Sequence, residues 1–390
     1  MMNATGELQG ETVTAKPANA SSTSLVPRRT QALAARTAAL VRRGIRDIAR
    51  EPNWIEKRVF SGQHACTAVS ASGKIAVFLG GAAGVGLRLA IFDLDSQIPS
   101  EPLSASNALG VKTVDPASVL VWSPSGRVLL AASKLAANQV QLFDPNTKSH
   151  LDTFEVPDLP NASFSWSPNG TVFGAAFAAD RTLRIWNCDI EQPVLVAVPI
   201  ATLDVTPSLA AVAVGDSPDD EILFAGFGPM AFSPAGTRVA LALKCAGEWA
   251  DDFLLVAAVP SMRRDLFMPV HGSITSLSWS ADGQTLVHCA GGRAFALPEG
   301  YLESCSLPFT AELARCHPTR PLCACYSSWL KSASKGRLFI ADLREGRILD
   351  ELAAEGVVDI AWSFDAQQVY AVTHDGTAYI YERTLGSIGF

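Results

Sequence analysis

Charge is sparse in this chain, at 18% of 390 residues against 48% hydrophobic, and its six histidines and eight cysteines are dispersed. No Gly-rich phosphate loop runs into Lys-Ser/Thr, and neither His-Glu-x-x-His nor Gly-x-Ser-x-Gly occurs. The run Gly80-Gly81-Ala82-Ala83-Gly84-Val85-Gly86 has the glycines of a nucleotide loop but no helical pattern after it, so it reads as a strand connection. A secretory or twin-arginine signal is not expected either, since Glu7 and Glu11 occupy the first stretch and Arg36 interrupts the next, despite Arg28-Arg29. The stretch from Val194 to Val214 carries Pro199, Asp204 and Pro207, and its β-branched residues fit strands better than a membrane span. The scattered cysteines, several in apolar runs, favour a reducing compartment, and the expectation is an intracellular, cytoplasmic protein without a transmembrane segment.

What is present is turn chemistry. With 29 Gly and 23 Pro the chain is turn-rich and globular, long enough for one large all-β domain. Its net charge of −7 is unevenly distributed. Residues 1–50 hold eight Lys/Arg against three Asp/Glu, leaving 23 against 35 in the rest, so a leader of +5 precedes a body of −12. An acidic body argues against nucleic acid as its partner.

One pattern recurs: an apolar strand ending in a large residue, a turn of Ser, Pro, Asp and Gly, then a second apolar strand. It reads Val69-Ser70-Ala71-Ser72-Gly73, Trp122-Ser123-Pro124-Ser125-Gly126, Trp166-Ser167-Pro168-Asn169-Gly170, Phe232-Ser233-Pro234-Ala235-Gly236 and Trp279-Ser280-Ala281-Asp282-Gly283. Two weaker copies follow, Cys316-His317-Pro318-Thr319-Arg320 and Trp362-Ser363-Phe364-Asp365-Ala366. In these turns Pro presets φ, Asn or Asp bonds its own backbone, and Gly accepts positive φ. Downstream of most copies an alternating strand ends in an aromatic followed by an acid or amide: Phe92-Asp93, Phe143-Asp144, Trp186-Asn187 after Asp180, and Tyr381-Glu382 after Asp375, with Ala341-Asp342 a variant. Four short strands with their turns occupy about 40–45 residues, the period of one propeller blade. Seven copies predict an all-β, seven-bladed β-propeller.

The paired turn and the aromatic-acid strand end resemble the two landmarks of the WD-repeat β-propellers over roughly residues 56–385. In that family a His before the first strand, a Ser or Thr, the turn Asp and the Trp form a hydrogen-bonded network within a blade. Asp180 and Trp186 match two of those positions, but no His precedes their blade; His271 precedes the fifth blade, where Gly291 stands in the Asp position. With these networks incomplete, apolar packing is expected to hold the ring. The structural blade residues are Trp122, Trp166, Asp180, Trp186, Phe232, Trp279, Trp362 and Asp375. The last copy leaves chain for only three strands, and Ile55–Phe60 alternates like an edge strand that could complete the seventh blade and remove the open edge. The resemblance implies the same closure.

The expected domain organisation is a disordered leader over 1–26, a basic amphipathic helix and linker over 27–54, and the propeller over 55–390 with an insertion near 190–225. In the helix Leu33, Leu40, Val41, Ile45 and Ile48 oppose Arg29, Arg36, Arg43, Arg46 and Arg50. It either packs its apolar stripe on the propeller or makes a weak contact with an anionic surface over 27–50. The acidic run Gly215–Glu221 in the insertion lacks calcium-loop spacing, and Cys323 and Cys325, with Cys316 and His317 upstream, lack paired-knuckle spacing. No metal, cofactor or catalytic residue is assigned.

The functional expectation is a non-catalytic scaffold that binds other proteins through its propeller loops. An enzyme with a loop-built site at the central channel is the alternative, and a scaffold of the nuclear-pore aladin kind a remote one. Two turns between second and third strands carry Trp among polar residues, which is the composition of binding hot spots. The candidate contacts are Trp249 in one turn and Trp329, Lys331, Lys335 and Arg337 in the other. Either Trp could instead fold back over its own blade.

Overall fold

Each serine-containing turn joins two antiparallel strands, and two further strands complete a sheet before the next copy begins. The computed structural model describes residues 54–383 apart from 61–63, 80–87, 95–109, 114–116, 134–138, 148, 156–161, 190–191, 194–197, 213–222, 247–250, 301–303, 329–335, 353 and 375–376. The leader and the helix expected over 27–54 lie outside the described residues, save for Trp54 at the end of that range.

Blade 1 consists of His64–Val69, Lys74–Leu79, Arg88–Asp93 and Gly110–Thr113, and blade 2 of Ala117–Trp122, Leu129–Ser133, Gln139–Asp144 and Ser149–Glu155. Blade 3 runs through Ser163–Trp166, Val172–Phe177, Thr182–Asp189 and Ala201–Asp204, and blade 4 through Leu223–Phe232, Arg238–Ala246, Asp252–Ala258 and Arg264–Val270. Blade 5 holds Ile274–Trp279, Thr285–Ala290, Arg293–Pro298 and the two-residue Cys305–Ser306. Blade 6 is Leu313–Cys316, Leu322–Ser327, Arg337–Asp342 and Arg347–Leu352. The chain then lays down Val357–Trp362, Gln368–Thr373 and Ala378–Arg383, and Trp54–Phe60 pairs antiparallel with the last of these. The register runs from Trp54 opposite Arg383 to Phe60 opposite Ala378, so the closing strand is the one anticipated, longer by Trp54. This pairing removes the free edge of blade 7. First strands of successive blades touch in an unbroken cycle that returns from blade 7 to blade 1, which places them around the axis.

The core is seven apolar clusters, one for each pair of neighbouring blades. Strand alternation explains the division. In blade 2, Leu129, Ala131 and Phe143 face blade 1, whereas Val128, Leu130, Val140 and Leu142 face blade 3. Each blade therefore has two apolar faces, and apolar packing joins the blades as expected.

The insertion departs from the all-strand reading of 194–214. Ala201–Asp204 forms the outer strand of blade 3, but Thr206–Val212 is an α-helix. The Asp204 carboxylate accepts the Thr206 N–H at 2.8 Å, Pro207 sits in the first turn where its missing N–H is harmless, and Leu209, Ala210 and Ala211 are strong helix formers. The acidic run 215–221 lies within an undescribed stretch.

Candidate interaction face and the blade motifs

Antiparallel order sorts the connections into two faces. Turns after the first and third strands lie at one end of every sheet; turns after the second strand and the loops between blades lie at the other. The first of these faces carries the repeated motif, and its serine is a structural acceptor. Ser70, Ser123, Ser167, Ser233, Ser280 and Ser363 each take, on the side-chain oxygen, a backbone N–H four or five residues on, at 2.9–3.0 Å. In blade 6 His317 stands in for the serine. Its Nδ1 accepts the N–H groups of Thr319 and Arg320, both at 3.1 Å, so the ring proton sits on Nε2 and is donated to Ala366 O of blade 7 at 3.2 Å. Burial lowers the His317 pKa from 6.5 to about 4, which keeps the ring neutral. Where the turn carries Asp282 or Asp365, a serine hydroxyl and then a backbone N–H hold the carboxyl below its ordinary range.

Gly126 has φ 68°, and a Cβ there would strike Ser72 of the preceding blade. Glycine is thus required both by its conformation and by the approach of the neighbouring turn.

The aromatic before the serine connects blades. Trp122 Nε1 donates to Ala68 O of blade 1 at 3.1 Å, Trp279 to Ala231 O of blade 4 at 3.1 Å, and Trp362 to Arg315 O of blade 6 at 2.8 Å. Phe232 has no such donor and instead presses on Gly174 of blade 3, where a Cβ would lie 2.8 Å from its Cζ. Trp166 and Trp186 belong to the cluster between blades 2 and 3, with ring centroids 4.7 and 6.3 Å from that of Phe173. The Asp180 carboxylate accepts from Thr182 N and Oγ1 and pairs with Arg184, capping its own turn. Asp375 lies outside the described residues.

Sequence reasoning missed a polar relay around the axis. Ser276 Oγ of blade 5 donates to Ala314 O and accepts Ala314 N, and Arg315 of blade 6 reaches both Ser276 Oγ, at 3.1 Å, and Asp359 of blade 7, at 3.3 Å. Asp359 in turn accepts Val69 N of blade 1 at 3.2 Å. Desolvation raises its pKa, and Arg315 and the backbone N–H groups of Val69 and Ile360 oppose the shift. Nothing local marks Ser276, Arg315 and Asp359, which come from three repeats; their only shared signal is a polar residue within a first strand.

On the opposite face, His271 finds an acid in the preceding blade rather than its own. Asp251 Oδ1 lies 3.1 Å from His271 Nδ1 and accepts Gly272 N at 3.2 Å, while Asp252 Oδ2 accepts Ile274 N at 2.7 Å and Ser273 Oγ at 3.1 Å. These bonds fix the loop entering blade 5. Trp249 precedes this pair of acids by two residues and lies outside the described residues, as do Trp329, Lys331 and Lys335. The ends of that second turn are described. Ser328 donates to Glu312, Gly336 abuts the Tyr326 ring, Tyr326 Oη accepts Gly356 N at 2.9 Å, and Arg337 pairs with Glu351.

Cys323 and Cys325 do share one face, buried with Cys289 and partly buried Cys316 between blades 5 and 6. Burial pushes the Cys289 thiol up to about 12 and is the largest influence raising Cys323 and Cys325. His317 turns instead into its own turn. Among the described residues no group of three or more His, Cys, Asp or Glu is arranged to hold a metal, and no helix is long and apolar enough to cross a membrane.

The family model "WD domain, G-beta repeat" matches residues 161–187, which span the first three strands of blade 3 almost completely. No curated protein matches the sequence. Among solved structures, a chain of "Crystal Structure of Mitotic Checkpoint Complex" superposes with a TM-score of 0.59 at 14% identity, covering 86% of this chain and 98% of that one. Matching solved chains number 1557, so likeness of this kind identifies the fold and leaves the partner open. A chain that closes seven such sheets into a ring is a seven-bladed β-propeller, and its third blade matches the WD-repeat model.

Proposed function

We propose that the propeller is a non-catalytic interaction scaffold whose partner protein docks on the face formed by the second-to-third-strand turns and the inter-blade loops of blades 4 to 6. The observation that carries this reading is how that face is anchored. Asp251 and Asp252 fix the loop that follows the Trp249 turn, and Ser328, Tyr326 and Gly336 fix both ends of the turn that contains Trp329. Anchored loop ends lower the ordering cost of binding. In this reading Trp249 and Trp329 supply apolar contact area, and Lys331, Lys335 and Arg337 supply charge at its rim. WD-repeat propellers as a class are protein-interaction modules, and neither the family match nor the solved-structure likeness favours the enzymatic or nuclear-pore alternatives.

The test is partner capture by affinity purification from a native lysate, comparing the parent with the double variant Trp329→Ala, Lys331→Ala. Captured proteins should fall by the equivalent of about 2 kcal/mol or more while the melting temperature stays nearly constant. Full capture by the variant, or early melting, refutes the assignment.

A further inference from the structure

We propose that Asn169-Gly170 is a deamidation site that the fold holds closed, so that its chemistry records opening of the blade 3 turn. It is the single Asn-Gly pair in the sequence. The reaction needs the Gly170 backbone nitrogen to attack Cγ of Asn169. An N–Cγ bond forms, the Cγ–Nδ2 bond breaks, and the side-chain nitrogen leaves as ammonia with the backbone amide proton. Water then opens the succinimide at either carbonyl, giving aspartate or isoaspartate, with no change of oxidation state.

The structure withholds both reacting groups. Gly170 N–H is donated to Ser167 O at 2.8 Å, within a turn that sets Gly170 at φ 71°. Asn169 Oδ1 accepts Ser167 Oγ at 2.6 Å, Thr171 Oγ1 at 2.9 Å and Thr171 N at 3.2 Å, and Nδ2 donates to Ala235 O of blade 4 at 3.3 Å. The attacking nitrogen is therefore a committed donor, and the side chain cannot rotate onto it without breaking bonds to two blades. Asn169 is nevertheless exposed to the water that completes the reaction.

The two products differ in consequence. Aspartate suits the turn, because Asp282 and Asp365 occupy the equivalent position and accept the same serine hydroxyl at 2.6 Å and the same backbone N–H at 3.0 Å. Isoaspartate lengthens the backbone by one carbon and displaces Gly170 from its position.

The experiment follows ammonia loss and isoaspartate at residue 169 by peptide mapping in the whole folded chain, in the chain under denaturant, and in a synthetic peptide of residues 165–174. When local opening is fast, reaction tracks the population of the open form, so the folded chain should react at least about tenfold more slowly than the peptide, with denaturant abolishing the difference. Thr171→Val removes one bond to Oδ1 at an exposed position and should raise the folded rate about threefold. Asn169→Asp should melt close to the parent. A folded rate within twofold of the peptide's, or no acceleration by Thr171→Val, overturns the proposal; early melting of Asn169→Asp overturns its account of the products.

Discussion

The seam between blades 3 and 4 and the seam between blades 6 and 7 solve one packing problem with different chemistry. At the first, Phe232 lies over Gly174, and Leu183, Ile185, Leu241 and Leu243 complete a cluster whose close fit depends on a bare backbone. At the second, Trp362 replaces the phenylalanine and Ala324 takes the register position of Gly174; Tyr326, Ile340 and Tyr381 fill the cluster. Polar bonds are then added: Trp362 to Arg315 O, His317 to Ala366 O, and Arg315 to Asp359. The repeat thus specifies where an aromatic must stand but leaves open whether steric fit or hydrogen bonding secures it. Apolar seams are sensitive to volume, and polar ones to charge and pH.

The largest expected effect comes from breaking the polar seam. Arg315→Ala leaves the mostly buried Asp359 carboxylate with backbone donors alone, at a cost of about 3 kcal/mol in denaturant unfolding. The double change Arg315→Met, Asp359→Leu should cost less than the single one, since no charge is then stranded. Equal losses in the two variants would deny that the pair acts as a unit.

Next is the apolar seam. Gly174→Ala should destabilise by about 2 kcal/mol, because the new methyl must displace the Phe232 ring, and Phe232→Leu in the same background should recover part of the loss. A neutral Gly174→Ala in thermal unfolding would mean that the seam has room, and the contrast with Ala324 would vanish.

Acid should separate the two seams further. His317 is neutral in the fold with a pKa of about 4 against an ordinary 6.5, so the unfolded chain binds the proton first as pH falls. Its contribution is complete above pH 6.5, declines as pH drops toward 4 and levels off below that. The loss is on the order of 1 to 2 kcal/mol. His317→Ser restores the serine of the other six turns and should flatten this part of the profile relative to the parent. His288, also held near 4 by burial, adds a similar slope from blade 5 in both proteins and cancels in the difference. Identical pH profiles would remove His317 from the account.

The smallest effect is at Ala366, which occupies the glycine position of the repeat at φ 59°. Ala366→Gly relieves left-handed strain but loosens the unfolded chain, for a net gain of about 0.5 kcal/mol in calorimetry.

How much of this was legible follows the range of the interactions. The serine turns could be read because a turn is satisfied within five residues: Ser123 reaches Val128 N, and Gly126 needs its positive φ whatever surrounds it. The aromatic-acid strand ends could be read for the same reason, as Asp144 accepts Asn146 N and Asp342 accepts Arg344 N in the turn that follows. The closing strand was visible from a count, since the last copy supplies only three strands, the first of them ending at Trp362, and a spare alternating segment precedes the first blade. The helix at Thr206–Val212 was not, because its one capping Asp is set among β-branched residues that favour strand. The partner of His271 was not legible either, because its acid, Asp251, belongs to the preceding blade.

Sequence by itself determined the blade, its repetition and its two apolar faces, because these rest on alternation, turn torsions and bonds between near neighbours. Tertiary structure alone decided which polar groups meet. Arg315 and Asp359 are 44 residues apart, and Ser276 and Val69 lie in two further blades. Their contact depends on how neighbouring blades stack and, for Asp359 and Val69, on closing the ring, and no periodicity in one strand carries that information.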